Sequence, residues 1–152
     1  MTDISFDLGG YTINLRVAAV IVRGDDVVVC RARPEDWWYL PGGRIKTNET
    51  SVQALTRELR EEMGEHFQIR RPIVCAENFF TLHGVSVHEI CIFYEVDWLG
   101  DALIMPSEGA NEVIEWMPRE RIMNIDLKPE FIKPYVLNPP PQLELVIYRD
   151  SQ

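Results

Sequence analysis

Three glutamates, Glu58, Glu61 and Glu62, stand at i, i+3 and i+4 in the run Arg57-Glu58-Leu59-Arg60-Glu61-Glu62-Met63. At about 100° per residue this spacing gathers their carboxylates on one side of a helix. Like charges within one turn repel and weaken the helix, and Arg57 offsets part of this by reaching Glu61 at i+4. A hard cation would offset the rest. Mg²⁺ takes oxygen ligands, keeps several waters and is commonly held by one or two carboxylates together with substrate phosphates. The helix alone leaves a second reading open, a solvated acidic face, which is what most charge runs are. The segment before it bears on the choice. Leu40-Pro41-Gly42-Gly43 predicts a sharp chain reversal, and its glycines let a metal or phosphate approach the backbone where a Cβ would intrude.

The elements that must position these groups follow from periodicity. Thr47, Asn48 and Glu49 open the helix, with Thr47 or Asn48 capping its free amides, and it runs to about Met63; Gly64 suits the left-handed position beyond its end. Val52, Leu55, Leu59 and Met63 form the stripe that packs on a sheet. Residues 11–22 and 27–33 read as a β-hairpin around Gly24-Asp25-Asp26. Residues 67–81 and 87–98 are long β-type segments around His83-Gly84. Residues 99–111 are irregular, 113–117 a short strand, 118–125 and 129–137 short helices, and 143–148 a closing strand. The expected fold class is α/β, a mixed sheet with a few helices.

Composition bounds the function. The chain has 152 residues, 46% of them apolar, with 15 Lys+Arg against 24 Asp+Glu for a net charge of −9. That is enough apolar material for one domain with a real core, and residues 1–152 are read as a single domain. The acidic balance opposes a long nucleic acid as partner, which wants a basic face, and equally an anionic membrane surface. Cys30, Cys75 and Cys91 are odd in number and without a CxxC pair, so they read as small core residues rather than a zinc or disulfide framework. The N-terminus carries no signal-type apolar core, and no apolar run approaches a membrane span, so the expected location is the cytoplasm.

Gly43, five residues, Glu49, seven residues, then Arg57-Glu58-Leu59-Arg60-Glu61-Glu62-Met63-Gly64 resembles the signature of the Nudix hydrolase family, the MutT-like enzymes. Every specified position matches through Gly64; Glu65 stands where the family has an aliphatic residue. The resemblance implies an α/β/α sandwich with mixed β-sheet and a loop–helix–loop catalytic motif. It also implies a Mg²⁺- or Mn²⁺-dependent pyrophosphohydrolase that cuts the diphosphate linkage of a nucleoside diphosphate joined to another group. Carried over residue by residue, Glu58 and Glu62 are the main metal ligands and Glu61 a further one. Glu58, or a carboxylate from a later loop, deprotonates water. Arg57 orients the carboxylates, Glu49 supports the loop and helix start, and Gly42 and Gly43 permit backbone approach to metal or phosphate.

Outside the signature, Glu112 and Glu115, ahead of Glu108, are candidates for an extra base or ligand, with a solvated loop carboxylate as the alternative. Trp37 and Trp38, with Tyr39 beside them, can stack on a base or serve as alternating strand residues. Arg16, Arg31, Arg33 and Arg44 are candidates to meet phosphates, with Arg33 and Arg44 nearest the expected site; solvated strand arginines are the alternative for all four. His83 and His88 lack zinc spacing. Where ADP-ribose pyrophosphatases of the family carry a proline, this chain has Thr81; where diadenosine polyphosphate hydrolases carry a tyrosine, it has Leu82 and His83. (d)NTPs, nucleotide sugars and ADP-ribose therefore stay open as substrates. A Nudix-fold nucleotide-binding regulator without turnover and an RNA 5′-end pyrophosphohydrolase are the alternative functions. A homodimer is left open by the sequence.

Overall fold

The computed structural model describes residues 1–101 and 112–150. Strand β1 spans Ser5–Asp7, β2 Tyr11–Arg23, β3 Asp26–Ala32, β4 Trp38–Tyr39 and β5 Gly42–Arg44. Helix α1, Ser51–Met63, follows; then β6, Phe67–Leu82, β7, Val85–Trp98, and β8, Glu112–Pro118. A 3₁₀ turn at Arg119–Asn124, β9 at Leu127–Lys128, a 3₁₀ turn at Glu130–Ile132, α2 at Lys133–Leu137 and β10 at Glu144–Arg149 complete the described chain.

The strands form one mixed sheet in the order β10-β6-β7-β2-β3-β4-β9, with β1 and β5 also on β2 and β8 on β3. The β2–β3 and β6–β7 hairpins are antiparallel, whereas β2–β7 and β10–β6 are parallel. Alternation along β2 divides the core. Val17, Ala19 and Ile21 pack under α1 with Leu55, Leu59 and Met63, and Ala18 and Val20 pack on the other face with Ile122, Ile132 and Val136 from the 3₁₀ turns and α2. Helix on one face and helical turns on the other give the sandwich expected from the resemblance.

Four local expectations are corrected. Helix α1 starts at Ser51 rather than near Thr47, because Thr50 caps it: its hydroxyl accepts from the Gln53 amide while the Gln53 side chain accepts from the Thr50 amide. That reciprocal pair satisfies two free amides at once, and Asn48 stands in a left-handed turn (φ 66°) before it. Val52 is exposed and Ala54 takes its place in the buried stripe with Leu55, Leu59 and Met63. Gly64 has a positive φ of 87°, but its ψ of −159° leaves it outside the left-handed helical region. Residues 42–44, read as part of a chain reversal, form a short strand, and Trp38–Tyr39 form another, the strand alternative given for the tryptophans. The three cysteines are free; Cys30 and Cys91 are buried and Cys75 half-buried.

Candidate active site

Strand β5 and helix α1 meet at the glycine turn. Gly42 and Gly43 pair in register with Ala18 and Val17 of β2. A Cβ on Gly43 would collide with the Glu58 carboxyl group, and one on Gly42 with the Val17 carbonyl oxygen and the Ala18 Cα. Glycine at both positions is thus a packing requirement: one admits the neighbouring strand, the other admits a carboxylate.

Arg57 ties this turn to the helix. Its Nε donates to Glu49 Oε1 at 2.7 Å, its Nη2 to Glu49 Oε2 at 3.0 Å and to the Arg44 carbonyl at 3.1 Å, and its Nη1 to Glu58 Oε1 at 2.7 Å. Glu49 Oε2 also accepts from the Lys46 amide at 2.9 Å. A fork-to-fork arginine–carboxylate pair of this kind is among the stronger side-chain contacts. The hydrogen bonds from Arg57 hold the Glu49 carboxyl down at about 2, and Glu49 in turn raises the Arg57 guanidinium. The i+4 partner expected for Arg57, Glu61, lies farther off at 4.0 Å and is 61% exposed. Because the folded-state value of Glu49 is depressed, the stability it contributes is full above the ordinary carboxylate value and is lost as pH falls through about 2. Denaturant titrations of the wild-type chain and Glu49→Gln should show a stability gap at pH 7 that begins to narrow below about pH 4.5; a gap independent of pH would show that the charge of Glu49 is not what matters.

Glu62 differs from the other helix carboxylates. Its Oε2 is buried with no hydrogen-bond partner among the described residues. Burial, then the charges of Glu112 and Glu58, push its carboxyl up to about 8, against the pull of Arg16. Glu112 comes from β8, where it shares a strand face with Ile114 and Trp116, both packed on the α1 side. The Tyr39 hydroxyl donates to Glu112 Oε1 at 2.8 Å, and burial and this bond push the phenol well up. Glu115, one face over, is exposed, and Glu108 lies outside the described residues. The fold thus brings Glu112 rather than Glu115 toward the helix carboxylates.

Arg16, rather than the exposed Arg33, is the register partner of Arg44 across β2 and β5. Trp38 lies on the α2 side of the sheet beneath the Arg31 guanidinium, 4.8 Å from the ring centroid, and half-buried Trp37 donates to Glu35 at 3.1 Å. The Trp37 N–H is thus taken by Glu35 and one Trp38 ring face by Arg31. Sequence reasoning placed Arg16 behind Arg33 and read Tyr39 only as a stacking or strand residue, so it missed the contact of Tyr39 with Glu112 and the register of Arg16 with Arg44. The first has no local signal, since the two residues are 73 positions apart, and the second is set by strand pairing.

Among the described residues no three His, Cys, Asp or Glu side chains are gathered closely enough to hold a metal ion as they stand. Glu58 is held by Arg57, Glu112 by Tyr39, and Glu61 points to solvent. The donor set nevertheless fits a hard cation on two observations: the buried, unpartnered Glu62 oxygen within electrostatic reach of two further carboxylates, and the Cβ-free space at Gly43 that holds Glu58 against the backbone.

Solved structures share this architecture. A MutT protein from Bacillus halodurans covers 90% of this chain and 89% of its own with a TM-score of 0.67 at 17% identity, and a NUDIX hydrolase from Nitrosomonas europaea covers 90% of this chain with a TM-score of 0.68 at 20% identity. Among curated proteins, the chain is 43% identical over 60 residues to an RNA pyrophosphohydrolase of Halorhodospira halophila and 32% identical over 68 residues to an 8-oxo-dGTP diphosphatase of Buchnera aphidicola. These matches take in 38% and 42% of this chain but 32% and 52% of the relatives' own lengths. An uncharacterized Nudix hydrolase of Bacillus subtilis, YvcI, is 27% identical over 119 residues, 75% of this chain and 72% of the relative. The NUDIX domain family model matches residues 13–137, from β2 through α2 and so across the glycine turn, α1 and Glu112, and the chain belongs to the Nudix family.

Proposed function

We propose that the chain, acting as one domain over residues 1–152, hydrolyses the diphosphate linkage of a nucleoside diphosphate derivative, the class that includes (d)NTPs, nucleotide sugars and ADP-ribose. The observation that carries this reading is the buried, unpartnered Glu62 carboxyl beside Glu58 and Glu112 at a Cβ-free turn. Glu58 and Glu62, with Glu61 and Glu112 nearby, are the residues that would hold Mg²⁺ or Mn²⁺. When bound, such a cation neutralises charge on the diphosphate and makes a water a better nucleophile. The chain's own groups supply the rest. Arg57 fixes the Glu58 carboxyl and ties Glu49 to the Arg44 carbonyl, so turn and helix keep one relative position. Arg16 and Arg44 bring positive charge to the edge of the turn, where substrate phosphates need it. A carboxylate of the cluster, Glu58 or Glu112, takes the proton of the attacking water.

A second reading, hydrolysis at the 5′ end of RNA, draws on the named activity of the Halorhodospira relative. The net charge of −9 weighs against it, because a long RNA is held along a basic track. Incubating the purified chain with Mg²⁺ and a panel of nucleoside triphosphates, nucleotide sugars, ADP-ribose and 5′-triphosphorylated RNA decides among the readings. Release of phosphate or pyrophosphate or of a nucleoside monophosphate from small substrates, abolished by EDTA, is the expected result. Binding with no metal-dependent turnover on any diphosphate would leave a nucleotide-binding regulator, and turnover confined to RNA would establish the second reading.

A further inference from the structure

Among the described residues, the buried polar or charged side chains are Asn14, Asn78, Glu89 and Lys133. Three of them stand in one line. Asn14 on β2 is in register with Glu89 on β7, Glu89 with Asn78 on β6, and Asn78 with Tyr148 on β10. Residues in register point to the same side of a sheet. That side is the α2 side, since Ala18 of β2, Cys91 of β7 and Ala76 of β6, an even number of positions away on each strand, belong to that core. Four adjacent strands therefore present a polar row on a face that is otherwise largely apolar on β6 and β7, with Ala76 and Cys91 on one side of it and Phe80 and Val87 on the other.

The row is only partly satisfied. Ser5 Oγ donates to Asn14 Oδ1 at 2.6 Å, and Arg16 Nε pairs with Glu89 Oε1 at 3.4 Å. Asn78 Oδ1 is buried without a partner in a residue only 6% exposed, and the Arg16 contact to its buried register neighbour Glu89 is made at Oε1. A buried acceptor left unpaired destabilises a fold, and an apolar pair at Asn78 and Glu89 would avoid that cost. Its presence points to a donor that arrives with a ligand.

The row also lies where part of a nucleotide would reach. Arg16, beside Arg44 at the edge of the glycine turn, is two residues from Asn14 along β2, about 7 Å at the rise of a strand. A phosphate held by that arginine pair puts the rest of the molecule over the row. Two residues further out on the same face, Phe80 and Val87 stand in register and continue it toward the β6–β7 turn. On the other flank the Phe131 and Tyr148 rings lie 5.1 Å apart, with Tyr148 in register with Asn78.

Resting on the nucleotide-hydrolase reading above, we propose that Asn78 and Glu89, braced by Asn14 and Arg16, determine base specificity by accepting two adjacent N–H donors from the heterocycle, the edge that guanine presents at N1 and N2. Hypoxanthine keeps the first donor and lacks the second. Adenine and cytosine pair one donor with a ring acceptor that would face a carboxylate, and uracil flanks its single N–H with two carbonyls. A site built of acceptors rejects such edges because its own groups are left unpaired.

The wild-type chain is titrated calorimetrically with GDP, IDP, ADP and CDP without metal, so that turnover does not enter. GDP should bind about tenfold tighter than IDP, the worth of one hydrogen bond to a buried acceptor, and tighter still than ADP or CDP. Asn78→Leu and Glu89→Leu should bring the GDP and IDP affinities within about twofold of one another, with circular dichroism melts showing that both variants fold; Asn78→Asp and Glu89→Gln, which keep an acceptor oxygen, should retain the preference for GDP. Equal binding of the four diphosphates by the wild type, no binding of any, or an unchanged GDP:IDP ratio in both leucine variants would overturn the assignment. Mg²⁺-dependent turnover is scored separately. Hydrolysis without base preference removes only the specificity residues, and a GDP preference without hydrolysis removes only the hydrolase reading.

Discussion

Glu62→Gln is expected to lower metal-dependent turnover on the order of a hundredfold or more, since loss of even an indirect partner of a metal ligand typically costs 10–100-fold. The variant should also fold at least as well as the wild type. The Glu62 carboxyl is pushed up to about 8, first by burial and then by Glu112 and Glu58. A carboxyl raised in the folded state favours folding below its ordinary value and loses that advantage as pH rises toward 8, because unfolding lets it ionise in water. The metal-free wild type should therefore melt at lower temperature at pH 8 than at pH 5, and Glu62→Gln should show less of this fall. Mg²⁺ should raise the melting temperature of the wild type at pH 8, since whatever binds only the folded chain stabilises it, and should do so far less in the variant. Glu61→Gln, at a side chain 61% exposed, should show a smaller loss on each measure. Near-normal turnover in Glu62→Gln, or an undiminished response to Mg²⁺, would show that the cation is held elsewhere.

The contrast between Glu62 and Glu61 marks how far the sequence can be read. The spacing of the four signature glutamates placed them within a few turns of one another, because a helix converts sequence distance into spatial distance by a fixed rule. It could not say which carboxylate is buried; that depends on what packs against the helix, and Glu112 and Tyr39 arrive from segments brought in by β3–β8 and β3–β4 pairing. The helix start is a different case. The Thr50-x-x-Gln53 pattern is a capping-box signature that a local reading can find; Thr47 and Asn48 compete with it only because both are also good capping types. The long strands of the β6–β7 hairpin were legible from apolar alternation and a Gly turn. The polar row was not, since Asn14, Asn78 and Glu89 look unremarkable one by one and become a row only through the parallel register of β2 on β7, a pairing of strands distant in sequence.

Two neighbouring glycines should separate folding from chemistry. Gly42→Ala would drive its Cβ into the Val17 carbonyl oxygen and to 2.8 Å from the Ala18 Cα. These are backbone atoms of a central strand paired on both sides, by β5 and by β7, and they cannot rotate away. Overpacking of this kind destabilises by about 3 kcal/mol, the upper part of its usual range, which lowers the melting temperature of a chain this size by roughly 10 °C. Gly43→Ala meets a different neighbour. Its Cβ would overlap the Glu58 carboxyl, whose Oε2 would stand at 2.6 Å, and a side-chain end can swing aside. The methyl group should therefore cost less than about 1 kcal/mol, with part regained from the restricted unfolded chain. Swinging aside, however, breaks the 2.7 Å bond from Arg57 and removes Glu58 from the turn, so turnover should fall by about a hundredfold in a chain that still melts cooperatively near the wild-type temperature. Measured side by side, Gly42→Ala should lose stability and Gly43→Ala should lose rate. If Gly43→Ala kept its rate, the placement of Glu58 against the turn would be incidental to the chemistry; if it melted as early as Gly42→Ala, the space beside Gly43 would serve the fold and not the carboxylate.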